Sequence, residues 1–169
     1  MVVKKHILKT LTSLDDSFTS ALRSPSPEQS VFFSKLAILE YCGWIEEVFD
    51  QIIRRSVKGQ LKTQEFRQML ETSVIGNTHG FQYKKHFRTM LTRAVGLRKA
   101  EIIEKYLKDS RQFDILVSEL GNIKRDRDSA AHTWIDGATR TYPAPSFTKS
   151  QFERIYPILR GIYSQVIKL

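Results

Sequence analysis

Apolar residues recur along most of the chain at spacings of three and four, the period of an α-helix that buries one face. Ile7, Leu11 and Leu14 begin the first such stripe, which predicts a helix over about residues 3–23. Ser26, Pro27 and Gln29 then predict a new helix start, with serine as the cap, proline in the first turn and glutamine as the capping-box partner.

The helix predicted from Pro27 to about Val57 carries apolar residues on more than one face. Such a wide apolar surface is typical of a central helix that several neighbours contact. The apolar positions that indicate this are Phe32, Leu36, Leu39, Ile45, Val48, Phe49, Ile52 and Ile53.

Shorter helical patterns follow, separated by residues that favour turns. They cover residues 63–72, a stripe that ends at Gly96, residues 101–108, and a longer stripe from Phe113 into residues 124–134. Thr148 and Gln151 predict a capping box at the start of the last helix. No alternation typical of strands occurs, so the sequence predicts an all-α fold, an antiparallel bundle of about five or six helices forming a single domain over residues 1–169.

The balance of charge adds a class of partner to this picture. The chain has 27 Lys and Arg against 18 Asp and Glu, a net charge of +9, which favours anionic partners such as nucleic acid or a membrane surface. No apolar run approaches the roughly 18 residues of a membrane span, and the first residues lack the apolar core of a secretory signal. With one cysteine, Cys42, we expect a cytoplasmic protein without an internal disulfide and without a membrane partner.

Familiar cofactor and metal motifs are missing from the sequence. It contains no GxxxxGK[ST], GxGxxG, HExxH or CxxC pattern, and its four histidines are scattered without metal-ligand spacing. We therefore expect neither a cofactor nor a metal, and any nuclease chemistry would have to proceed without a metal ion.

The segment KRDRDSAAHTW, residues 124–134, holds the side chains that metal-free RNA cleavage needs. RNA supplies its own nucleophile, the 2′-hydroxyl, so an enzyme must move protons and stabilise charge on the phosphate. His132 suits the proton steps because the unperturbed pKa of histidine is about 6.5. Arg127 suits the phosphate because guanidinium is always charged and can donate two parallel hydrogen bonds. Asp128 would orient one of them.

Helical spacing limits how these two residues can meet. Five positions separate Arg127 from His132, about 140° around a helix, so they would not face the same point. Either the helix is interrupted near the segment, or two protomers of a two-fold dimer assemble the site. Arg125, seven positions before His132, would share its face and gives a second register. Read as structure alone, KRDRD is a solvated helix face of alternating charge.

The same segment resembles the motif of the HEPN superfamily (higher eukaryotes and prokaryotes nucleotide-binding). Its ribonuclease members carry Arg, a polar residue and then His after four to six residues, which Arg127, Asp128 and His132 match. An apolar helix usually leads into the motif, as here, and the Ala-Ala-His ending at 130–132 is also similar. Residues 38–53, ILEYCGWIEEVFDQII, look like the family's long second helix. The likeness covers roughly residues 27–168 in helix order.

The resemblance implies a metal-independent endoribonuclease that acts as a homodimer, often a toxin or phage-defence effector with an antitoxin or other partner protein. His132 would then be the general base or acid, and Arg127 would stabilise the phosphate. Lys124, Arg125 and Arg140 would hold the flanking RNA backbone, while Trp134 would stack on a base or pack in the bundle. At the position of Trp134, one toxin subgroup has a tyrosine whose modification controls the toxin. The resemblance does not extend to control by that modification.

Two other functions remain open from the sequence. The first is a non-catalytic HEPN-like domain that binds RNA, a nucleotide or a protein, with salt-sensitive binding and no cleavage. The second is a helical interaction module whose charge serves solubility. Whether the chain is an enzyme therefore depends on His132 and its arginine.

Overall fold

The computed structural model of the protein describes residues 3–131 and 141–169, and within them all regular structure is helical. The all-α class is therefore confirmed. These residues form seven α-helices, more than the five or six expected, together with a 3-10 turn at Pro27–Gln29 and π-helical turns at Leu70–Ile75 and Tyr83–Phe87. The helices are α1 (Lys5–Leu22), α2 (Ser30–Ser56), α3 (Gln64–Met69), α4 (Arg88–Val95), α5 (Leu97–Asp109), α6 (Phe113–Ala131) and α7 (Pro145–Val166).

The helices are grouped into two compact units. The α5 unit contains Ile45–Leu120 and Pro157–Leu169, and the α1 unit contains Val3–Trp44 and Gly121–Tyr156. The boundaries fall inside α2, α6 and α7, so each of these three helices contributes residues to both units.

An aromatic cluster forms part of the core of the α1 unit. The Phe152 ring lies 5.0 Å from the Trp44 ring and 6.2 Å from the Tyr41 ring, edge-on in both pairs. Edge-to-face pairs of this kind add to the stabilisation from burial alone. The Trp44 indole also donates a hydrogen bond to the carbonyl of Val3, 3.1 Å away, which connects the chain two residues before α1 to α2.

The start of α7 differs from the sequence prediction. Thr148 does not begin this helix: α7 starts three residues earlier, at Pro145, and the Thr148 side chain is fully buried within it. The backbone N–H of Ser146 instead donates to Asp15 Oδ1 of α1 at 3.0 Å. A carboxylate near the positive end of a helix is favourable, so Asp15 performs from another helix the role predicted for Thr148.

The start of α2 also differs from the prediction. Pro27–Gln29 is a 3-10 turn, Ser26 makes no side-chain capping bond, and α2 begins at Ser30. The second half of its apolar stripe is buried, from Ile45 to Ile53. The first half is not, because Phe32, Leu36 and Leu39 are 64%, 43% and 39% exposed. In its first half α2 buries one face, with Ala37, Ile38 and Tyr41 at most 2% exposed, so the additional apolar face predicted from the sequence is left uncovered there. Cys42 is buried, as expected of a small hydrophobic residue.

A second row of aromatic rings lies in the core of the α5 unit. Phe49 lies 4.5 Å from Phe87, which lies 5.6 Å from Tyr83, which in turn meets Phe113 edge-on at 5.2 Å. Burial raises the pKa of the Tyr83 hydroxyl well above its usual value, with a smaller contribution from the nearby Glu104 carboxylate. Tyr83 is therefore a neutral core residue.

The loop before Tyr83 depends on a glycine. Gly80 has φ +117°, and a Cβ placed there would lie 2.7 Å from Cε1 of His86. The imidazole cannot move away freely, since its Nδ1 accepts a hydrogen bond from the backbone N–H of Gln82 at 3.0 Å. Backbone conformation and space both require glycine at this position.

A carboxylate on α2 lies among other charges in the α5 unit. Burial raises the pKa of Asp50 to about 6, against the opposing effect of the Arg54 guanidinium, while Glu47, Glu71 and Glu46 raise it further. Arg54 itself donates to both Glu71 oxygens, at 3.0 and 3.2 Å from Nε. Asp50 therefore competes for an arginine that Glu71 already engages.

We predict that Gly80→Ala lowers the free energy of unfolding by about 1–3 kcal/mol, because alanine meets both an unfavourable φ and the His86 ring. Gly96→Ala is the matched control. Gly96 has φ +83° but no heavy atom within 4 Å of an added Cβ, so its replacement should cost less. Urea unfolding of the three proteins measures the difference, and equal losses for both variants would rule out the His86 contact as a cause.

We predict that Asp50→Asn becomes increasingly stable relative to the native chain as the pH rises from about 4 to about 6. The folded state holds the Asp50 proton more tightly than the unfolded chain does, since its pKa of about 6 exceeds the usual 3.8. Raising the pH through this window therefore costs the native protein stability that asparagine does not lose. Because Asp50 is half-exposed, we expect on the order of 1 kcal/mol in urea unfolding. Asp50→Glu should retain the pH dependence.

Candidate functional site

Helix α6 carries the segment that the sequence analysis identified. Its apolar stripe is buried as predicted, with Leu116, Leu120 and Ile123 at most 1% exposed. The helix continues through residues 124–128 and ends at Ala131, so no break occurs between Arg127 and Ala131. Residues 124–128 lie in the part of α6 that belongs to the α1 unit.

Three of the predicted site residues contact one another on α6. Asp128 accepts a short hydrogen bond from Lys124 one turn earlier, and its Oδ1 lies 3.6 Å from Arg127 Nε. The three side chains are between 34% and 39% exposed. Solvent screens such pairs, which contribute roughly 0.2–1 kcal/mol each. Asp128 therefore positions Arg127 and Lys124 without making either inaccessible.

Arg125 is directed elsewhere on the helix. Its guanidinium donates to the side-chain oxygen of Asn122, three residues earlier. Of the two arginines that the sequence left open, Arg127 is the one in contact with Asp128. The two candidate arginines, Arg127 five positions before His132 and Arg125 seven positions before it, therefore make different contacts.

Asp126, which sequence reasoning did not select, faces α7. Burial raises the pKa of its carboxyl, while the Arg125 charge and a hydrogen bond from the Gln151 side chain oppose the rise. Gln151 is almost fully buried, and this bond to α6 is its role in place of the predicted capping box. No local pattern could have revealed the pair, because the two residues lie 25 positions apart in sequence.

Tyr142 is a second residue that sequence reasoning missed. Its hydroxyl donates to the carbonyl oxygen of Ser129 on α6 at 3.0 Å. The Lys35 ammonium of α2 lies 5.5 Å from the centre of the Tyr142 ring, within the range of a cation–π interaction. Through these contacts Tyr142 connects the chain just before α7 to the end of α6 and brings the Lys35 charge near it.

The remaining predicted site residues, His132, Trp134 and Arg140, lie outside the described residues. Of the site proposed from sequence, Lys124, Arg125, Arg127 and Asp128 are described, and all four lie on the last two turns of α6. Lys124, Arg127 and Asp128 are in contact through Asp128, whereas Arg125 is not part of that set.

Comparison with known proteins returned no match among protein-family models, curated proteins or solved structures. No helix within residues 3–131 or 141–169 has both the length and the apolar character that crossing a membrane requires. In those same stretches, no three His, Cys, Asp or Glu side chains are grouped as a metal ion would need.

We predict that Tyr142→Phe lowers the free energy of unfolding by about 1 kcal/mol, since it removes the hydrogen bond to Ser129 and keeps the ring beside Lys35. Tyr142→Leu should cost more, because it removes the ring as well. Urea unfolding measures stability, and amide hydrogen exchange over residues 141–147 reports whether the segment has loosened. A phenylalanine variant indistinguishable from the native chain would show that the Ser129 bond contributes nothing.

Proposed function

We propose that the protein is a metal-independent endoribonuclease of the HEPN type that cleaves RNA in the cytoplasm. The observation that carries the proposal is the contact of Lys124 and Arg127 with Asp128 on one turn of α6, a few residues before His132 in the sequence. Two half-exposed cations held by one carboxylate form a surface that can accept a phosphate. A histidine close by in sequence supplies a group that can transfer protons near neutral pH.

The proposed reaction needs no group beyond these side chains and the RNA. The 2′-oxygen loses its proton and attacks the adjacent phosphorus, so that a P–O2′ bond forms while the P–O5′ bond breaks. His132 acts as general base toward the 2′-hydroxyl or as general acid toward the departing 5′-oxygen, and solvent water takes up or supplies the other proton. Arg127 donates hydrogen bonds to the non-bridging oxygens, where negative charge develops. The products are a 2′,3′-cyclic phosphate and a free 5′-hydroxyl.

The proposed site is shared by two protomers. α6 is unbroken from Arg127 to its end at Ala131, so no interruption of the helix within that stretch brings Arg127 toward the residues that follow. Two copies related by a two-fold axis can present Arg127 from one protomer and His132 from the other to the same phosphate. In a toxin or defence effector, an antitoxin or other partner protein could then inhibit the enzyme by covering the shared cleft.

We predict that the purified protein cleaves single-stranded RNA in the presence of EDTA, and that His132→Ala and Arg127→Ala each reduce the rate at least 100-fold. His79→Ala and Arg93→Ala are the matched controls, since both residues are exposed and lie outside α6; they should cleave at the native rate. Gel analysis of end-labelled RNA measures the rate and identifies the cyclic phosphate. Full activity of the His132 variant would refute the assignment.

Mixing the two inactive variants tests the shared site. A mixed dimer of the Arg127→Ala and His132→Ala chains contains one site with both residues intact, so cleavage should return to a substantial fraction of the native rate. Native mass spectrometry confirms that mixed dimers have formed. Mixed dimers that remain inactive would show that Arg127 and His132 do not act across the interface.

A non-catalytic RNA-binding domain is the second candidate. It is favoured by the fact that Asp128 already engages both Lys124 and Arg127, so that an incoming phosphate must compete with a carboxylate. This candidate requires salt-sensitive RNA binding with no cleavage in EDTA and no dependence on His132.

A further inference from the structure

Two adjoining grooves run along α5 in the α5 unit and share Arg98 and Ile102 as lining residues. The smaller groove has a volume of about 270 Å³. Three cations line it: Arg98 and Lys99 from the first turn of α5, and Lys168 from just beyond α7. The Tyr106 side chain contributes an aromatic wall.

Among the residues that the structure describes, no Asp or Glu side chain lines the smaller groove. Within residues 3–131 and 141–169, no Asp or Glu side chain forms an ion pair with Arg98, Lys99 or Lys168. The larger groove differs: its Glu104 lies 2.9 Å from Lys108 and 3.6 Å from Arg88. Three like charges around one small groove repel one another, and a bound anion would offset this repulsion by attracting all three.

The position of two of these cations strengthens the argument. Arg98 and Lys99 lie in the first turn of α5, a turn without any acidic residue, where the helix dipole favours negative charge. Each cation there is less stable than the same residue at the other end of the helix. A phosphate group would interact favourably with both side chains and with the helix end.

The Tyr106 hydroxyl lies close to the backbone of α7. Gly161 of α7 leaves the space that the Tyr106 hydroxyl occupies, since a Cβ at that position would lie 2.7 Å from the oxygen. Tyr106 is half-exposed, and Ile102 beside it is 51% exposed. An aromatic face and an apolar side chain next to cations match a nucleotide, whose base stacks while its phosphate pairs with the charges.

We propose that this groove, which we call the α5 pocket, binds a backbone phosphate and the adjoining nucleotide of single-stranded RNA. It would hold substrate RNA at a place separate in sequence from the α6 segment. The choice of RNA over other polyanions rests on the proposed function, whereas the preference for a phosphate rests on Arg98, Lys99 and Lys168.

Binding is measured by fluorescence anisotropy with a labelled 2′-O-methyl RNA of twelve nucleotides, which has no 2′-hydroxyl and cannot be cleaved by the proposed reaction. The test variant is Arg98→Ala/Lys99→Ala/Lys168→Ala. The matched control is Lys84→Ala/Lys85→Ala/Arg93→Ala, which removes the same charge from exposed side chains elsewhere in the α5 unit. A third variant, Arg98→Lys/Lys99→Arg/Lys168→Arg, preserves the charge. Circular dichroism confirms that each variant is helical.

The test variant should bind RNA at least 10-fold more weakly, and the slope of log affinity against log salt should fall by about 2, or roughly 0.7 for each lost phosphate contact. The control should lose less than twofold, and the charge-preserving variant should bind nearly as the native chain does. Equal losses in the test and control variants would overturn the proposal in favour of unspecific attraction. An unchanged affinity of the test variant would also overturn it.

Two further arms separate other ligands and the proposed function itself. Binding to vesicles of phosphatidylcholine and phosphatidylserine is measured for the native chain and the test variant. If vesicle binding is lost in the test variant while RNA binding is unchanged, the α5 pocket is a membrane site and the RNA assignment is refuted. Unmodified RNA distinguishes the two proposals. If RNA binding depends on the α5 pocket but no RNA is cleaved, the nuclease proposal is refuted and the pocket proposal is supported. If RNA is cleaved but the test variant binds it as tightly as the native chain does, the nuclease proposal is supported and the pocket proposal is refuted.

Discussion

The burial of Ile123 and Ala130 on α6 limits the directions of the polar side chains that lie between them. Both residues are removed from water in the α1 unit, and rotating this part of the helix would expose them, at a cost of about 1.5–3 kcal/mol for Ile123. Because the backbone is helical between these two positions, the side chains in between leave it in fixed directions. Asp126 turns toward Gln151, while Lys124 and Asp128 stay half in water. Packing thereby selects which charges can meet a ligand.

The sequence predicted the parts of this structure that depend on helical periodicity. The buried stripe of α6 and the continuation of that helix through residue 131 follow directly from spacing. The helix starts were predicted less well, since capping is decided by whichever oxygen lies nearest. At α7 that oxygen belongs to Asp15, far away in sequence, and not to Thr148. Phe32, Leu36 and Leu39 show the same limit, because periodicity identifies an apolar face without identifying what covers it.

For the candidate site, residue type and spacing predicted where the charges lie but not their contacts. Arg127 and Asp128 were expected together, and they are in contact. The bonds from Gln151 to Asp126 and from Tyr142 to Ser129 join residues 25 and 13 positions apart, and neither leaves a pattern in the sequence. The α5 pocket likewise leaves no pattern in the sequence. Its cations come from two separate stretches, and only folding brings Lys168 to the groove that Arg98 and Lys99 line.

Asp128 and the α5 pocket represent two ways of holding positive charge. On α6 a carboxylate keeps Arg127 in a defined position, which suits a group that must act on one phosphate with fixed geometry. In the α5 pocket none of the described Asp or Glu side chains pairs with the cations, which suits attraction of a flexible polyanion. The α5 pocket would attract an RNA strand directly. On α6, an RNA phosphate would have to displace Asp128 from Lys124 or Arg127.

The hydrogen bond from Ser146 to Asp15 also bears on how the chain folds, since its partners are 131 residues apart. α1 is synthesised before α7, so the Asp15 carboxylate has no helix end to stabilise until Ser146 has been added to the chain. The first turn of α7 in turn lacks this partner until α1 has docked. This contact of the α1 unit can therefore form only after both helices have been synthesised.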